Sequence, residues 1–358
     1  MNTPATTLAD RIADRALVLI AAVNMLFLAL FLLTAWLAMP AAAAAAGATC
    51  NGSDLLAKLK TDDPPAYAAL EAEARATPNG EGLLWRIEKD GVEPSYLFGT
   101  MHLTDPRVLT LPPDATNAYN DASTVVIETT DVLDPAAASA SVLAHPDLMM
   151  FTDQTTLSGL LDDTDEAVVE AALKERGVPF ASVQKMKPWM LIAMVALPQC
   201  ETARKNAGAE ILDIKLARDA QASGKQVLGL ETMADQLGAM ASLPMSFHIQ
   251  GLIDTIRLGD QGLEDVFETM IVLYEEGDTG MVWPMFRAVM PGQSMEGEGY
   301  AEFEEALVNA RNITMADHAE PILSAGDAFI AVGALHLPGE KGLVEVLRQR
   351  GYTVTAVH

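Results

Sequence analysis

Basic side chains are scarce in this sequence. Its 358 residues include 23 Lys and Arg against 49 Asp and Glu, which gives a formal net charge of −26 at pH 7. A surface with this charge repels phosphate backbones and anionic lipid headgroups. The composition therefore argues against nucleic-acid binding, and we expect no nucleic-acid partner. Solubility is the simplest role for the excess of acidic groups.

Charged residues of either sign make up only 20% of the chain, whereas 50% of the residues are hydrophobic. A disordered chain would carry more charge and less apolar surface. A chain of this length can bury a full core, so it needs no metal or partner merely to fold. We therefore expect a folded domain.

Charge is missing altogether from Ala16–Met39, where Asn24 and Thr34 are the only polar residues. This run can span a bilayer, since about 20 apolar residues suffice. It is longer than the usual secretory signal, whose apolar part has about 7–15 residues. An alanine-rich linker follows, with several small-residue cleavage sites. Residues 1–48 are thus either a removed signal peptide or an uncleaved membrane anchor, and both place the rest outside the cytoplasm, in the periplasm or the medium.

Cysteine occurs only at Cys50 and Cys200. Two cysteines in an oxidising compartment favour one disulfide. It would close a loop of about 150 residues and contribute up to about 4–5 kcal/mol of stability. Two unrelated buried thiols are the alternative. Lipid modification of Cys50 is weaker, because the residues before it match the lipidation motif poorly.

Short apolar runs at both ends of residues 49–358 predict strands, and the stretch between them is mostly helical. The pattern fits one α/β domain, with a central sheet and a large helical insertion at about residues 133–325, better than two independent domains. An Asp-Gly turn indicates that the first two strands form a hairpin. The predicted strands are Leu83–Ile87, Ser95–Phe98, Val125–Ile127, Gln226–Leu230, Phe329–Val332 and Tyr352–Val357.

Two of these strands lead into the same pattern, a glycine followed three residues later by a histidine. Gly99 precedes His102, and Gly333 precedes His336. The spacing alone is a weak signal. Both pairs nevertheless follow a buried strand at its carboxyl end, where open α/β sheets bind ligands. Glycine at such a point lets the backbone turn close to the sheet.

Two other strands end in an acid, Glu128 after Val125–Ile127 and Glu231 after Gln226–Leu230. Either residue alone could simply mark the exit of a strand into solvent. Together with His102 and His336, however, they are typical ligands for a divalent metal. The other four histidines lie in predicted helices, before a proline or at the C-terminus, and are weaker candidates.

At this point the chain resembles a known family, TraB/GumN, which includes the TIKI metalloproteases and is distantly related to erythromycin esterase-like and ChaN-like proteins. The last of the resembling stretches, with its second Gly-x-x-His, Leu-Pro-Gly and Gly-Tyr-x-Val, is the most specific. The stretches are Tyr96–Asp105, Val125–Glu128, Ala209–Gln236, Arg311-Asn312 and Phe329–Val354.

The resemblance implies a metal-dependent hydrolase that uses manganese or cobalt. Carried over to this sequence, His102, His336 and Glu128 would hold the metal. The catalytic candidates are Glu128, Glu231, Arg311 and Asn312, with either glutamate as the base and Arg311 as the group that stabilises an oxyanion. The expected function is that of a secreted or membrane-anchored, peptidase-like hydrolase that acts on a peptide or envelope substrate. The alternative is a non-catalytic envelope protein for polysaccharide or haem handling.

The site also makes a geometric prediction. His102, Glu128 and His336 are far apart in sequence, so only the sheet can bring them together. The strands that end at Phe98, Ile127 and Val332 should be neighbours, with the three side-chain tips within about 6–8 Å in the absence of metal. Each histidine should have an acceptor for its other ring nitrogen, and Glu231 is a candidate for one of them.

Overall fold

The computed structural model describes residues 48–289 and 298–357. The expected hydrophobic helix, Ala16–Met39, lies outside these ranges. Within them, no helix combines the length and the apolar character needed to cross a bilayer. Of the described residues, Ala48 and Ala203–Ala209 belong to one small unit, and the others belong to a larger one. In the first unit, Arg204 Nη1 donates a hydrogen bond to the Ala48 carbonyl at 3.2 Å.

The larger unit contains a six-stranded mixed sheet in the order β4-β3-β5-β2-β1-β6. Strands β4, β3, β5 and β2 run parallel, whereas β1 is antiparallel to both β2 and β6. This arrangement confirms the expected mixed α/β class. The strands are β1 (Leu84–Glu88), β2 (Ser95–Thr100), β3 (Thr124–Ile127), β4 (Gln226–Gly229), β5 (Ala328–Gly333) and β6 (Thr353–Val357).

Helices fill most of the remaining chain. Several begin as local rules require, with Asp63 capping the second helix and Asp162 the sixth, each before acidic or proline-containing first turns. The helices are α1 (Leu55–Asp62), α2 (Pro64–Ala76), α3 (Pro113–Asp121), α4 (Pro135–Ala144), α5 (Pro146–Met149), α6 (Asp163–Glu175), α7 (Pro188–Val195), α8 (Gln199–Asn206), α9 (Leu212–Ala222), α10 (Met233–Ala241), α11 (Met245–Glu276), α12 (Val282–Val289), α13 (Glu298–Glu304), α14 (Ala310–Ala325) and α15 (Leu343–Gln349).

The central strand β5 is buried on both faces, which explains its uninterrupted apolar sequence. Because side chains alternate along a strand, Phe329 and Ala331 enter the core layer that α3 and α9 cover, while Ile330 and Val332 enter the layer beneath α14 and α15. Each face of the sheet therefore has its own helical cover.

The described residues between β3 and β5 are mostly helical, and the strand β4 among them pairs with β3 at the edge of the sheet. The sequence predicts that strand, at Gln226–Leu230. The helical region is consequently split in two by a strand that belongs to the central sheet. In the first part, α6 and α7 pack against the beginning of α11 and share a separate hydrophobic core with it.

A break in helix α11 directs its second half towards the carboxyl edge of the parallel strands. Helix α11 is broken at Gly259, whose φ of 67° and ψ of 175° lie outside the helical region and suit glycine. The segment after this break carries Phe267, Met270 and Tyr274 towards the sheet edge.

Cys50 and Cys200 form a disulfide with a Cα separation of 5.4 Å, which is the pairing that the sequence favours.

Candidate active site

The strands β3, β5 and β2 lie side by side, and the residues that follow them converge at one edge. Thr100 of β2 pairs with Gly333 of β5, and Val126 of β3 pairs with Ile330 of β5. The three parallel strands thus end at nearly the same level. His102 follows β2 by two residues, Glu128 follows β3 directly, and His336 ends a short 3₁₀ helix after β5.

Glu128 lies at the centre of this group. Its Oε1 atom is 3.8 Å from Nε2 of His336 and 3.9 Å from Nε2 of His102. The same oxygen accepts a hydrogen bond from the backbone N–H of Gly333 at 2.7 Å. The tertiary fold therefore brings the three predicted metal ligands together around one carboxylate oxygen.

His102 is held by a buried acid on α9. Its Nδ1 atom is 3.0 Å from Oδ2 of Asp213, and Oδ1 of Asp213 accepts a hydrogen bond from the Thr100 hydroxyl at 2.7 Å. The side chain of His102 is 54% exposed, whereas that of Asp213 is 8% exposed. One face of this imidazole is thus open to solvent while its Nδ1 edge is fixed from inside.

His336 is held by a neutral amide on α14. Its Nδ1 atom is 2.7 Å from Oδ1 of Asn312, and Nδ2 of Asn312 donates to the Lys341 carbonyl at 2.8 Å. Because a carbonyl can only accept, this second bond fixes which side of the Asn312 amide faces the imidazole. The His336 side chain is 6% exposed.

The partners of both histidines determine the same tautomer. Asp213 and the Asn312 oxygen are acceptors, so the Nδ1 atom of each imidazole carries the proton. Each Nε2 atom then presents a lone pair, and both lone pairs lie near Glu128 Oε1. Histidine ligands of metals are commonly held in this way by an acceptor on the opposite ring nitrogen.

Arg311 neutralises the acidic part of the site. Its Nη2 atom donates to Glu128 Oε2 at 2.7 Å and to Glu231 Oε2 at 2.6 Å, and its Nε atom donates to both oxygens of Glu231 at 3.1 Å. The expectation that Glu231 accepts from a metal-binding histidine is wrong, because Asp213 and Asn312 occupy those positions. With its side chain only 1% exposed, Glu231 serves as the partner of Arg311.

The electrostatics of the site follow from burial and from these pairs. Burial alone would raise the pKa of Glu128, but His336, His102, Arg311 and the Gly333 N–H outweigh it and lower the pKa to about 2. Burial lowers the pKa of His336 to about 4. His336 is therefore neutral at pH 7, so Arg311 is the permanent cation beside Glu128. Burial would lower the pKa of Arg311, but its hydrogen bonds to Glu231 and its carboxylate partners raise it.

The two motif glycines make room for different things. A Cβ on Gly333 would lie 3.2 Å from Glu128 Oε1, 3.5 Å from His336 Cδ2 and 3.6 Å from His102 Nε2, so it would point into the space between the three side chains. A Cβ on Gly99 would instead lie 2.8 Å from Leu337 Cδ1 and 3.0 Å from Ala334. Gly333 thus leaves the centre of the site open, and Gly99 allows β2 to pack against the turn after β5.

A cavity of about 400 Å³ opens from this cluster. Its floor includes His102, Glu128, His336 and Arg311, and its walls are mainly apolar side chains from α11, α12 and the segment before Arg311. That segment, Glu305–Asn309, is a π-helix, a form that often occurs at functional sites. Arg311 Nη1 donates to the Leu307 carbonyl within it. Neither Glu231 nor Asn312 lines the cavity.

The donor chemistry of the cluster fits a divalent cation. Two neutral imidazole nitrogens and one carboxylate oxygen are a common ligand set, and Gly333 leaves the space between them free of side-chain atoms. The separations of 3.8 and 3.9 Å are wider than ligands around one ion require. Accordingly, no set of three His, Cys, Asp or Glu side chains in the described part of the chain is already arranged to hold a metal. The three side chains would therefore have to move closer together to bind one ion.

Comparison with protein families identifies the family of this chain. A model of the TraB/PrgY/gumN family matches residues 83–356. The chain belongs to the TraB/PrgY/gumN family. The match begins just before β1 and ends within β6, so it covers the whole sheet and every residue of the cluster described above.

Among curated proteins, this member of the family is similar to several named metalloproteases. Metalloprotease TIKI1 of Danio rerio is 24% identical over 320 residues, which cover 78% of this chain and 64% of that protein. Metalloprotease TIKI1 of Homo sapiens is 25% identical over 345 residues, covering 81% and 66%. Metalloprotease TIKI2 of Xenopus tropicalis is 24% identical over 316 residues, covering 76% and 59%. The chain thus spans less than two thirds of the length of these relatives.

Two residues that contact the site, Asp213 and Gln236, were not predicted from the sequence. Asp213 lies inside α9 and Gln236 inside α10, where Gln236 Nε2 donates to Glu128 Oε2 at 3.0 Å. Neither residue ends an apolar strand, which was the signal that pointed to Glu128. A buried acid on the apolar face of an amphipathic helix is the signal that could have identified Asp213, since Leu212, Leu216 and Ala217 beside it are all buried.

Proposed function

We propose that this protein is a divalent-metal-dependent hydrolase of the peptidase type. The observation that carries the proposal is the convergence of two Nε2 lone pairs and one carboxylate oxygen at the end of an apolar cavity. The similarity to the TIKI metalloproteases supports a peptide substrate and a divalent metal. Manganese and cobalt are the first ions to test.

In this proposal His102, His336 and Glu128 hold the cation. A divalent cation at this position would supply Lewis acidity, polarising a substrate carbonyl and lowering the pKa of water. Asp213 and Asn312 keep both imidazoles in the tautomer that carries its proton on Nδ1 and a lone pair on Nε2. The low pKa of Glu128 suits a ligand that must stay ionised rather than a proton acceptor, because an efficient general base has a pKa near the working pH.

Arg311 and Glu231 support Glu128 in this assignment. Arg311 keeps Glu128 ionised and fixes its orientation through Oε2. Although Arg311 borders the cavity, its N–H donors are already bonded to Glu128, Glu231 and the Leu307 carbonyl, so it holds Glu128 in place and Glu231 positions it. We also propose that the protein works outside the cytoplasm, on the basis of the run Ala16–Met39 and the disulfide, and that it remains tethered to the membrane if that run is uncleaved.

The decisive experiment measures metal content and peptide hydrolysis in the same preparations. After chelation, addition of Mn²⁺ or Co²⁺ should restore cleavage of a peptide library by the wild type. His102→Ala and His336→Ala should bind no stoichiometric metal and show no cleavage. His145→Ala is the matched control, because His145 is exposed and distant from the motif segments in sequence. Full cleavage by both site variants, or by chelated protein, rules the proposal out.

Asp213→Asn extends the test to the residue that holds His102. The amide keeps the size of the side chain but removes its charge, so metal affinity should fall by about 10–100-fold. Asp219→Asn on the same helix is the control, since Asp219 pairs with Lys215 at the surface. The same assays distinguish the alternative of a non-catalytic envelope protein, which would show no metal-stimulated cleavage.

A further inference from the structure

The cavity beside the metal-ligand cluster has walls of a single chemical character. Apolar side chains approach from several different segments around a volume of about 400 Å³, within the range of roughly 300–1,000 Å³ typical of pockets for small ligands. The cluster forms one end of this space, so whatever fills it lies next to the reacting groups. The apolar wall residues include Phe267, Met270, Val282, Trp283, Phe303 and Leu307.

The polar groups in these walls are already satisfied by the protein. The Tyr274 hydroxyl donates to the Gly99 carbonyl at 2.9 Å, and the Thr279 hydroxyl donates to the Gly80 carbonyl at 3.1 Å. Asp278 accepts the Met281 N–H at 3.1 Å. Little hydrogen-bonding capacity is left for a polar occupant, and a hydroxyl-rich sugar would lose its bonds to water without replacing them.

Charged occupants are disfavoured as well. Among the described residues that line the cavity, Arg311 is the one Lys or Arg side chain, and its guanidinium is already paired with Glu128 and Glu231. Away from the cluster, an acidic group in the cavity would therefore find no Lys or Arg to pair with. A basic group would have to leave water for a mainly apolar space whose acids, Glu128 and Asp278, already bond to Arg311 and to the Met281 N–H.

We propose that this cavity is the specificity pocket for one bulky apolar side chain, such as Leu, Met or Phe, of a peptide substrate, next to the bond that is cleaved. The proposal rests on the proposed function and names its substrate class. It also assigns a role to Phe303. The centre of the Phe303 ring lies 5.4 Å from that of Phe247 and 6.0 Å, edge to face, from that of Trp283, so Phe303 and Trp283 together form an aromatic part of the cavity wall.

The first test compares cleavage of pentapeptides that differ at one position beside the scissile bond. Peptides with Phe or Leu there should have kcat/KM at least about tenfold higher than a peptide with Ala, and Asp should be worse than Ala. Phe303→Ala should lower the ratio of kcat/KM for Phe over Ala by about tenfold. Phe180→Ala, a partly buried aromatic residue at another cavity, is the matched control and should leave the ratio unchanged. If Phe303→Ala fails to fold, Met270→Ala, from a different wall, takes its place.

A binding measurement separates this proposal from the proposed function. Calorimetric titration of the metal-free wild type should show tighter binding of the Phe peptide than of the Asp peptide, and Phe303→Ala should remove that difference. If no peptide is cleaved with any metal, the hydrolase assignment fails, but this binding difference still decides on the pocket. Equal binding of the two peptides, or cleavage without preference, overturns the pocket. Preferential cleavage of long-chain acyl esters over all peptides overturns the assignment to a peptide side chain.

Discussion

The two Gly-x-x-His segments have the same pattern and opposite environments. His102 is half exposed and is held by the carboxylate of Asp213, whereas His336 is buried and is held by the amide of Asn312. The comparison shows that the motif sets where an imidazole leaves its strand. The helices packed against the sheet then decide how exposed that imidazole is and which partner it has.

This difference divides the work of the site. A carboxylate behind His102 increases the electron density on its ring and hence its strength as a ligand. The burial of His336 keeps it neutral and rigid, since its pKa is lowered to about 4. The site therefore combines one accessible ligand at the mouth with one fixed ligand at the floor, and Glu128 lies between them.

The largest effect is expected at Glu128, which lies between the two histidines. Glu128→Gln removes the charge that faces both Nε2 atoms and leaves Arg311 with Glu231 alone. Because removing a support of a metal ligand already costs about 10–100-fold, we expect loss of the ligand itself to lower peptide hydrolysis by at least about 100-fold. Steady-state kinetics at saturating metal is the measurement, with the exposed Glu305→Gln as the control. Activity near that of the wild type would show that the two histidines do not depend on a common carboxylate.

Replacing each histidine with alanine should lower the stability of the protein by different amounts. His336→Ala leaves a cavity and an unpaired buried Asn312 oxygen, so the free energy of unfolding of the metal-free protein should fall by about 2–4 kcal/mol. His102→Ala lets water reach Asp213, and its cost should be about 1 kcal/mol or less. Urea denaturation of both variants measures this. Equal losses of stability would contradict the contrast between a buried His336 and a half-exposed His102.

Acid should destabilise the metal-free protein through His336. Its pKa is lowered in the folded state to about 4 from an ordinary value of 6.5. The unfolded chain therefore takes up the proton first, and stability is lost as the pH falls from about 6.5 to 4, by up to about 3 kcal/mol. His336→Gln should flatten this part of the profile, and His145→Gln should not. Glu128, whose pKa is about 2, contributes stability that is lost below about pH 4.5.

The smallest expected effects distinguish the two glycines. Gly99→Ala drives a methyl group into Leu337 and Ala334, which should cost about 1–3 kcal/mol of stability. Gly333 has a φ of −52°, which alanine adopts without strain, so Gly333→Ala should fold normally and weaken metal binding instead. Thermal unfolding and metal titration of both variants test this. A stability loss at Gly333 larger than at Gly99 would reverse the assignment.

Much of the fold was predictable because the strands carry strong local signals. The hairpin at β1 and β2, the buried strands and β4 all appear within a few residues of their expected positions, and the family resemblance is confirmed. The strand-end rule also pointed to His102, Glu128 and His336, which the sheet order places together. Their roles in metal binding and catalysis stay predictions.

The family, the α/β class and the residues that leave the strands can be predicted from the amino-acid order, since periodicity and motif spacing are local properties. The groups that hold those residues become visible when the chain is folded. Asp213, Gln236, Asn312 and Arg311 lie on three helices, α9, α10 and α14, whose positions depend on packing against the sheet, and Arg311 pairs with Glu231 from the turn after β4. The exposure of each histidine depends on that packing too. No local pattern records these contacts, because they join residues that are far apart in sequence.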